Sequence, residues 1–372
     1  MHNSREWAPT QPWGPSAAAL VEVIGSYRFD APNGVVGMET HLVAADGVRT
    51  LRAMPQFVPS RQLNAAFYTE VISQQLDGTP HSAGLLGWGS DVLGFDTARS
   101  TDHGWGPRVV LFTETGEAPE LTLPDTFQGW PVRFGWDAVV PQHHVTVHRL
   151  SDWLAERLGV DATAPLSQVD WLMMPWQRIL EITGGVVFHD GLGTLGRVRE
   201  ALSWYPDDVY RFIVASQWHR LTEEEAFVGR AREVGDDEGA LLVEARLRRD
   251  LIRLVLLLHR RYPPYSKWLG SAFAQLSVDL PDGPAAFSTA AQLHNRTGLS
   301  DPLDPSLRNY YSRPYAVLDC QRFADATRAT ISDPRLRAFP LIGNVDQVCD
   351  SVDVLNDNGF LHELRHLYDA LS

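Results

Sequence analysis

The chain has 372 residues, of which 44% are hydrophobic and 21% charged, and its formal net charge is −14. This composition predicts a globular protein with one large or two smaller hydrophobic cores. The acidic balance argues against nucleic acid as a partner, because neutralising a phosphate backbone requires concentrated lysine and arginine. The two cysteines, Cys320 and Cys349, lack metal-ligand or redox spacing and are interpreted as reduced thiols.

The sequence shows neither a signal peptide nor a membrane span. Its first residues lack the basic start and apolar stretch of a secretory signal. The longest apolar run, Leu254 to Leu258, is far shorter than the roughly 20 residues that span a bilayer. We therefore expect a cytoplasmic protein, and the content of Trp, Ala, Arg and Asp suits a bacterial source.

Residues 1–53 are predicted to be a disordered tail followed by a short β-like extension. Three prolines and few core-type residues in 1–18 favour disorder. Short β-branched runs at Val21–Ile24 and His41–Val43, separated by turn residues, favour strands.

The sequence predicts an α/β domain over residues 54–163. Apolar residues recur at helical spacing from Arg61 to Leu76, which predicts a helix. The runs Val109–Phe112 and His143–His148 predict two strands of one sheet.

Beyond Ala164 the pattern is almost wholly helical, and we expect a second, helical domain over 164–372. Ser167, the stretch Tyr205–Asp208 and the capping-box pattern Thr222–Glu225 are read as helix starts. The longest helix is predicted from about Gly239 to Arg261, because the two prolines that follow Tyr262 cannot continue a helix.

The stretch from Gly87 to Arg108 has the layout of a nucleotide site. Gly89 and Ser90 enter a turn, and Asp102 follows Ser90 after twelve positions, just before an apolar strand. Backbone N–H groups and a serine hydroxyl can hold a phosphate, and a carboxylate at a strand edge can hold a divalent cation against it.

Several separated stretches, from Met54 to about Phe273, resemble a bacterial family of unknown function, domain of unknown function 4037. That family is similar to the kanamycin nucleotidyltransferase branch of the polymerase-β-like nucleotidyltransferases. The resemblance implies an α+β fold, in which a nucleotidyltransferase-like mixed sheet with helices precedes a helical C-terminal domain. Besides the glycine-rich stretch, it rests on Asp170–Leu172, Val187–Asp190, Trp204–Asp208, Glu224–Arg230 and Tyr262–Trp268.

The resemblance also implies partners and site residues. A nucleoside triphosphate and a small-molecule acceptor would be the partners, and Mg²⁺ the cofactor. Asp102 would hold the metal and take part in catalysis, and Glu225 would deprotonate the acceptor. The nucleotide-binding residues would be Gly89, Ser90, Asp96, Arg99, Arg108, Arg253 and Lys267.

The chain departs from the superfamily pattern at two acids. Superfamily members carry Asp-x-Asp, whereas this chain reads Asp102-His103-Gly104. Strand alternation puts Thr146 where the third carboxylate is expected. Because one carboxylate grips two hard cations poorly, two-metal transfer is in question.

Alternatives remain open for several of these residues. His103, His143, His144 and His148 flank the expected acid positions and suit Zn²⁺ or a general base, although consecutive His143 and His144 point to opposite faces of a strand. Arg246, Asp250 and Arg253 share one helix stripe and form either a phosphate grip or an internal ion-pair ladder. Asp96 can be a turn residue and Glu225 a capping-box acid.

Two functions follow from these observations. The first is an enzyme that transfers a nucleoside monophosphate from a nucleoside triphosphate to a small acceptor. The second is a nucleotide-binding or small-ligand-binding protein that keeps the fold and has lost nucleotidyl transfer. The absence of acids at positions 104 and 146 favours this second function.

Overall fold

The structure is a computed structural model that describes residues 57–76, 78–117, 119–136 and 139–371, apart from the side chain of Asp102. It also gives the backbone of three N-terminal strands, β1 (Glu22–Phe29), β2 (Met38–Ala44) and β3 (Val48–Ala53). The tail predicted over 1–18 lies outside these residues. The chain divides into two compact units. We call them the sheet unit (the described residues up to Leu150, with Gly184–Leu195) and the helical unit (Ser151–Thr183 and the described residues from Gly196).

A five-stranded mixed sheet forms the centre of the sheet unit. Its strands are β4 (Ser82–Leu85), β5 (Arg108–Phe112), β8 (Arg133–Trp136), β9 (Val139–His148) and β10 (Val186–Asp190). Their order is β10-β4-β5-β9-β8. The β5–β9 pair is parallel, and the other neighbouring pairs are antiparallel. The short strands β6 (Thr126–Phe127) and β7 (Trp130–Pro131) pair only with each other.

One face of this sheet packs against the helix that was predicted over Arg61–Leu76. The helix is confirmed as α1 (Ser60–Phe67), which continues through a π-helical segment (Tyr68–Ile72) and a 3₁₀ turn (Ser73–Gln75). Its apolar side chains share a core with Val109 and Leu111 of β5. Val145 and Val147 of β9 pack against the same core, because alternate residues of a strand share a face.

The remaining helices of the sheet unit are short. Helix α2 (Ser90–Leu93) follows the glycine-rich turn, and a 3₁₀ helix (Ala98–Asp102) leads towards β5. Thr97 caps this 3₁₀ helix by accepting the amide of Arg99, and Ser100 bonds back to the Thr97 amide. The backbone between α2 and β5 is therefore held by local polar contacts.

Most of the helical unit consists of helices. They are α3 (Leu150–Leu158), α4 (Gln168–Met173), α5 (Trp176–Thr183), α6 (Thr194–Ala201), α7 (Asp207–Glu224), α8 (Phe227–Glu233), α9 (Asp237–Leu258), α10 (Ser266–Ala274), α11 (Ala285–Asn295), α12 (Gln321–Ala329), α13 (Pro334–Ala338), α14 (Val345–Val348), α15 (Val352–Leu355) and α16 (Asn358–Leu364), with a final 3₁₀ segment (Arg365–Leu371). A two-stranded hairpin joins β11 (Arg308–Asn309) to β12 (Ala316–Val317). None of the helices described is both long and apolar enough to cross a bilayer.

The predicted helix starts are confirmed in two cases and wrong in a third. Ser167 forms a capping box with Asp170 at the start of α4, and α7 begins at Asp207. Thr222 does not start a helix, because α7 runs through it to Glu224. Its hydroxyl instead donates to the carbonyl of Trp218 one turn earlier, as threonine does inside a helix.

The longest helix is confirmed as α9, although it begins two residues before the predicted Gly239. The Asp236 carboxylate caps it by accepting the amide of Gly239 at 2.8 Å. The helix ends at Leu258, three residues before the predicted Arg261 and ahead of Pro263 and Pro264.

The division of the chain differs from the predicted boundary between residues 163 and 164. Strand β10 comes from the region predicted to be helical, yet it pairs with β4 of the sheet unit. All four residues of β4 are buried, so both of its edges require hydrogen-bond partners. The β-forming run Val186–Phe188 supplies one of them. The combination of a mixed sheet with many helices is as predicted.

We predict that deleting residues 1–53 leaves the remainder folded. Strands β1 to β3 pair only with one another, in a sheet separate from the five-stranded one. A chain that starts at Met54 should therefore unfold within about 3 °C of the full-length protein in a calorimetric scan. Aggregation of the shortened chain, or a fall of more than about 10 °C, would show that the N-terminal strands belong to the core.

Candidate functional site

The turn between β4 and α2 requires glycine at position 89. Gly89 has a φ of +123°, and a Cβ atom there would lie 2.6 Å from Nη2 of Arg108. A side chain would therefore be strained by the backbone and would also collide with the guanidinium. The sequence pattern singled out Gly89 for phosphate binding, and the structure gives it a packing reason as well.

Asp91, which sequence analysis did not single out, holds this turn in place. Its side chain is 2% exposed. One carboxylate oxygen accepts a hydrogen bond from Arg108 Nη2 at 2.6 Å, and the other accepts from the Ser60 hydroxyl at 2.6 Å. A buried carboxylate needs such partners, because an unpaired charge in the interior is strongly destabilising. Its position directly after Gly89-Ser90 is the only hint that the sequence offers.

Arg108 was predicted to contact phosphate, but its side chain is committed to the protein itself. The side chain is buried, and Nη2 donates both to Asp91 and to the carbonyl of Trp88, the latter at 2.7 Å. The guanidinium carbon lies 4.2 Å from the centre of the Trp88 ring, a cation–π contact. The observed partners of this side chain are protein groups, and the phosphate contact stays a prediction.

Asp96 also has protein partners that account for it. One of its carboxylate oxygens accepts the Ser60 amide at 2.7 Å and the indole N–H of Trp105 at 3.2 Å. It thus caps the start of α1 and holds a buried tryptophan, and the nucleotide contact stays a prediction. Asn64, one turn further along α1, accepts the amide of Arg108 at 2.5 Å.

Three other predicted residues lie along the segment from α2 to the 3₁₀ helix. Ser90 is half-buried, and its hydroxyl lies 3.4 Å from the Ser100 hydroxyl, which is a weak contact. Arg99 is exposed. Asp102 ends the 3₁₀ helix, and its side chain, the predicted metal ligand, lies outside the described part of the chain.

Gly104, the position at which the resemblance implies a second acid, is closed by aromatic side chains. It has a φ of +62°, and a Cβ there would lie 2.7 Å from the ring of Trp88 and 3.5 Å from the ring of Trp136. The two indole rings lie 4.8 Å apart. A side chain at position 104 would have to displace a tryptophan ring that also stacks on Arg108. Thr146, at the expected position of the third acid, is exposed.

His103 and His144 both contact the ring of Trp136, with ring centres 5.8 Å and 5.2 Å from it. His144 stacks on Phe134 with ring centres 4.2 Å apart, and its Nε2 hydrogen-bonds the Phe134 carbonyl at 2.9 Å. Burial lowers the pKa of His144, although the Phe134 carbonyl opposes the shift. In the portion of the chain that the structure describes, no three His, Cys, Asp or Glu side chains are grouped to hold a metal ion.

In the helical unit, Glu225 has a structural role different from the predicted capping box. Its carboxylate accepts the backbone amides of Leu318, Asp319 and Cys320 at 3.0–3.1 Å. These amides directly precede α12, so Glu225 holds the backbone that leads into that helix from a distant part of the chain. Burial raises the pKa of Glu225, and the hydrogen bonds from residues 318–320 oppose the shift.

Arg253 belongs to a buried ionic cluster around Asp250. Asp250 is 4% exposed and lies 3.0 Å from Arg220, 3.1 Å from Arg249 and 3.8 Å from Arg253. The predicted pair between Asp250 and Arg253 is therefore present. Arg246 leaves the predicted ladder and pairs with Glu224 at 2.7 Å, on the surface.

The cluster extends to Asp346, a second buried acid that sequence analysis missed. Arg253 donates to the carbonyl of Asp346 at 3.3 Å, and the Asp346 carboxylate accepts the amide of Trp176 at 2.8 Å. Burial raises the pKa of Asp346 to about 6, and the bond from Trp176 and the charge of Arg253 oppose the shift. Arg253 therefore stabilises the buried residue Asp346, through a hydrogen bond to its carbonyl and through the attraction of its charge for the carboxylate.

Lys267, the last predicted nucleotide ligand, is exposed at the start of α10. Its ammonium lies 4.9 Å above the ring of the neighbouring Trp268. The predicted catalytic and nucleotide-binding residues belong to two different units. Gly89, Ser90, Asp96, Arg99, Asp102 and Arg108 belong to the sheet unit, and Glu225, Arg253 and Lys267 belong to the helical unit, where they have separate surroundings.

One comparison with known proteins gives a match. Residues 171–269 match the model of a family described as a domain of unknown function, DUF4037. This supports the resemblance in the helical part of the chain, over a shorter stretch than the one from Met54 to Phe273. No curated protein and no solved structure gives a significant match.

We predict that the Asp91 contacts stabilise the sheet unit strongly. Asp91→Ala leaves Arg108 buried without its partner, which typically costs about 3–5 kcal/mol of unfolding free energy. Urea denaturation measures the loss. Asp125→Ala, at an exposed aspartate of the same unit, is the control and should change stability by less than about 0.5 kcal/mol. Equal effects of the two substitutions would remove the assigned role.

A second prediction concerns the pH dependence of stability. The pKa of Asp346 is about 6 in the folded protein against 3.8 ordinarily, so between these values the folded state binds more protons than the unfolded chain. The free energy of unfolding should therefore fall as pH rises through this window, by up to about 3 kcal/mol.

Asp346→Asn keeps an acceptor for the Trp176 amide and cannot ionise, so it should remove that loss. The measurement is urea denaturation of both proteins from pH 4 to pH 7. Buried His294, whose pKa burial lowers to about 4, contributes a slope of opposite sign in both proteins and cancels in their difference. A difference between the proteins that does not change with pH would contradict the prediction.

Proposed function

We propose that the sheet unit is a nucleotidyltransferase-like domain that binds a nucleoside triphosphate and does not carry out two-metal nucleotidyl transfer. The order of elements supports the fold assignment. Helix α1, strand β4, the Gly89-Ser90 turn, strand β5 and then β9 follow one another in the order that the resemblance implies, in a mixed sheet. The match of residues 171–269 supports the DUF4037 resemblance itself, and only residues 184–195 of that range belong to the sheet unit.

The proposed phosphate contacts are the Ser90 hydroxyl and the backbone amides of the turn. Ser90 is half-buried, and among the described residues its hydroxyl has one weak partner, Ser100, which a phosphate oxygen could replace at little cost. The Asp91 network fixes the turn before a ligand arrives, which reduces the entropy lost on binding. In this proposal Arg108 acts indirectly, by holding Gly89 and Trp88 in place.

The packing of Trp88 on Gly104 is the observation that carries the proposal. Two-metal transfer requires carboxylates that surround both ions. At position 104, where the second carboxylate is expected, the ring of Trp88 lies 2.7 Å from where a Cβ would be. At position 146, where the third carboxylate is expected, the chain has a threonine. The nearby side chains of Trp136 and His144 are not the oxygen donors that Mg²⁺ prefers. The described residues therefore do not fit a two-Mg²⁺ centre.

The competing function is nucleotidyl transfer to a small acceptor, with Glu225 as the base. A general base needs an oxygen that can reach the proton it takes. The carboxylate of Glu225 already accepts three backbone amides, and the Cys320 thiol lies 3.5 Å from it. These contacts favour the binding protein over the enzyme.

We predict that nucleoside triphosphate binding depends on Ser90 and not on Mg²⁺. Ser90→Ala should weaken binding about tenfold, as expected for one hydrogen bond to a charged phosphate. Thr126→Ala, at an exposed residue of the same unit, should leave the affinity unchanged. Isothermal titration calorimetry with each nucleoside triphosphate, in Mg²⁺ and in chelator, measures both effects.

The outcomes separate the two functions. Equal affinity in Mg²⁺ and in chelator, without pyrophosphate release by mass spectrometry, supports the binding protein. Pyrophosphate release that Asp102→Ala abolishes would establish the enzyme instead. Failure of every nucleotide to bind would remove both functions from this unit.

A further inference from the structure

A cavity of about 510 Å³ lies within the helical unit, and neither the sequence motifs nor the proposed function accounts for it. It is lined by α8, by α9 from Leu241 to Leu251, by the start of α11 and by the β11–β12 hairpin. This volume falls in the range of small-molecule sites, which bury most of a drug-sized ligand. The cavity therefore has the dimensions of a ligand site.

The walls of the cavity are mainly apolar. Leu247, Leu251 and Phe287 are at most 8% exposed and form its buried part. Leu241, which also lines it, is 58% exposed. An apolar ligand that entered would cover exposed leucine surface and gain the hydrophobic free energy of that burial.

The close approach of the hairpin to α8 depends on Gly229. A Cβ at this position would collide with the ring of Tyr315, which itself lines the cavity. Because glycine lets the ring pack directly on the helix backbone, the hairpin is held against α8 and closes one side of the cavity.

The charged groups that line the cavity do not suit an anionic ligand. Arg232 pairs with Glu244 at 2.6 Å, and Arg248 lies 3.7 Å from Asp282. Glu225 adds a further carboxylate, so the lining contains three acids and two arginines. Both arginines are paired, and a phosphate or carboxylate ligand would face a net negative wall.

We propose that this cavity binds an uncharged, mainly apolar small molecule. The ligand would be distinct from the nucleoside triphosphate proposed for the sheet unit, and this proposal does not rest on that one. The apolar lining supplies the affinity, and the paired charges exclude anions of the same shape.

A matched pair of fluorescent probes tests the chemical class. N-phenyl-1-naphthylamine is uncharged, and 1-anilinonaphthalene-8-sulfonate is the same ring system with a sulfonate. Titrated into the full-length protein, the uncharged probe should bind saturably with one-to-one stoichiometry. The sulfonate should bind at least about fivefold more weakly, because its charge would be desolvated beside acids. Tighter binding of the sulfonate, or no saturable binding of the uncharged probe, would overturn the proposal.

Two neighbouring leucines provide the control for location. Leu241 and Leu242 are both exposed residues of α9, but only Leu241 lines the cavity. Leu241→Asp should weaken binding of the uncharged probe about fivefold or more, whereas Leu242→Asp should leave it unchanged. Because both changes are on the surface, both proteins should fold. An equal effect of the two substitutions would place the probe elsewhere.

A steric variant gives an independent test. Ala245, an exposed residue that lines the cavity, can be replaced by tryptophan to fill the space, and Ala274→Trp on α10 is the matched control. Ala245→Trp should abolish saturable binding, and Ala274→Trp should retain it. Full binding by Ala245→Trp with an unchanged melting temperature would contradict the proposal.

Discussion

The burial of the Asp91 carboxylate is the constraint on which the glycine-rich turn depends. A carboxylate inside a protein is tolerated only when donors surround it. Here the donors come from α1 through Ser60 and from β5 through Arg108. One charge therefore ties the helix, the turn and the strand together. It also dictates glycine at position 89, because Arg108 occupies the space beside that residue.

The helical unit also buries a carboxylate, but there one acid, Asp250, is surrounded by three arginines. The excess positive charge is balanced by Asp350, which pairs with Arg249, and by the Asp346 carboxylate, which interacts electrostatically with Arg253. This arrangement explains how a sequence rich in arginine and aspartate has a well-packed interior. It also explains why Arg253, which looks like a phosphate ligand in the sequence, has a structural role.

Gly104, where the resemblance implies an acid, has no room for a side chain. The ring of Trp88 occupies the space that a side chain would need, and the same ring stacks on Arg108. Restoring the acid alone would therefore disturb the contact that holds Arg108. Under the proposed function, the packing of Trp88 on Gly104 favours ligand binding over metal-dependent transfer.

The sequence by itself determined the elements whose patterns are local. Apolar periodicity predicted α1 and α9, Ser167 predicted the start of α4, and β-branched runs predicted β5 and β9, because these signals depend on residues within a few positions of one another. The predicted helix start at Thr222 was wrong because the capping-box pattern also occurs inside a continuing helix.

Only the tertiary structure decided the partners of the polar residues. Arg108 meets an acid 17 positions away, Arg253 meets a carbonyl 93 positions away, and Glu225 meets amides 93–95 positions away. The same side chains could equally have bound a phosphate or an acceptor, because a charged residue has no local pattern that specifies its partner. The pairing of β10 with β4 and the cavity beside α8 likewise depend on segments that meet only after the chain has folded.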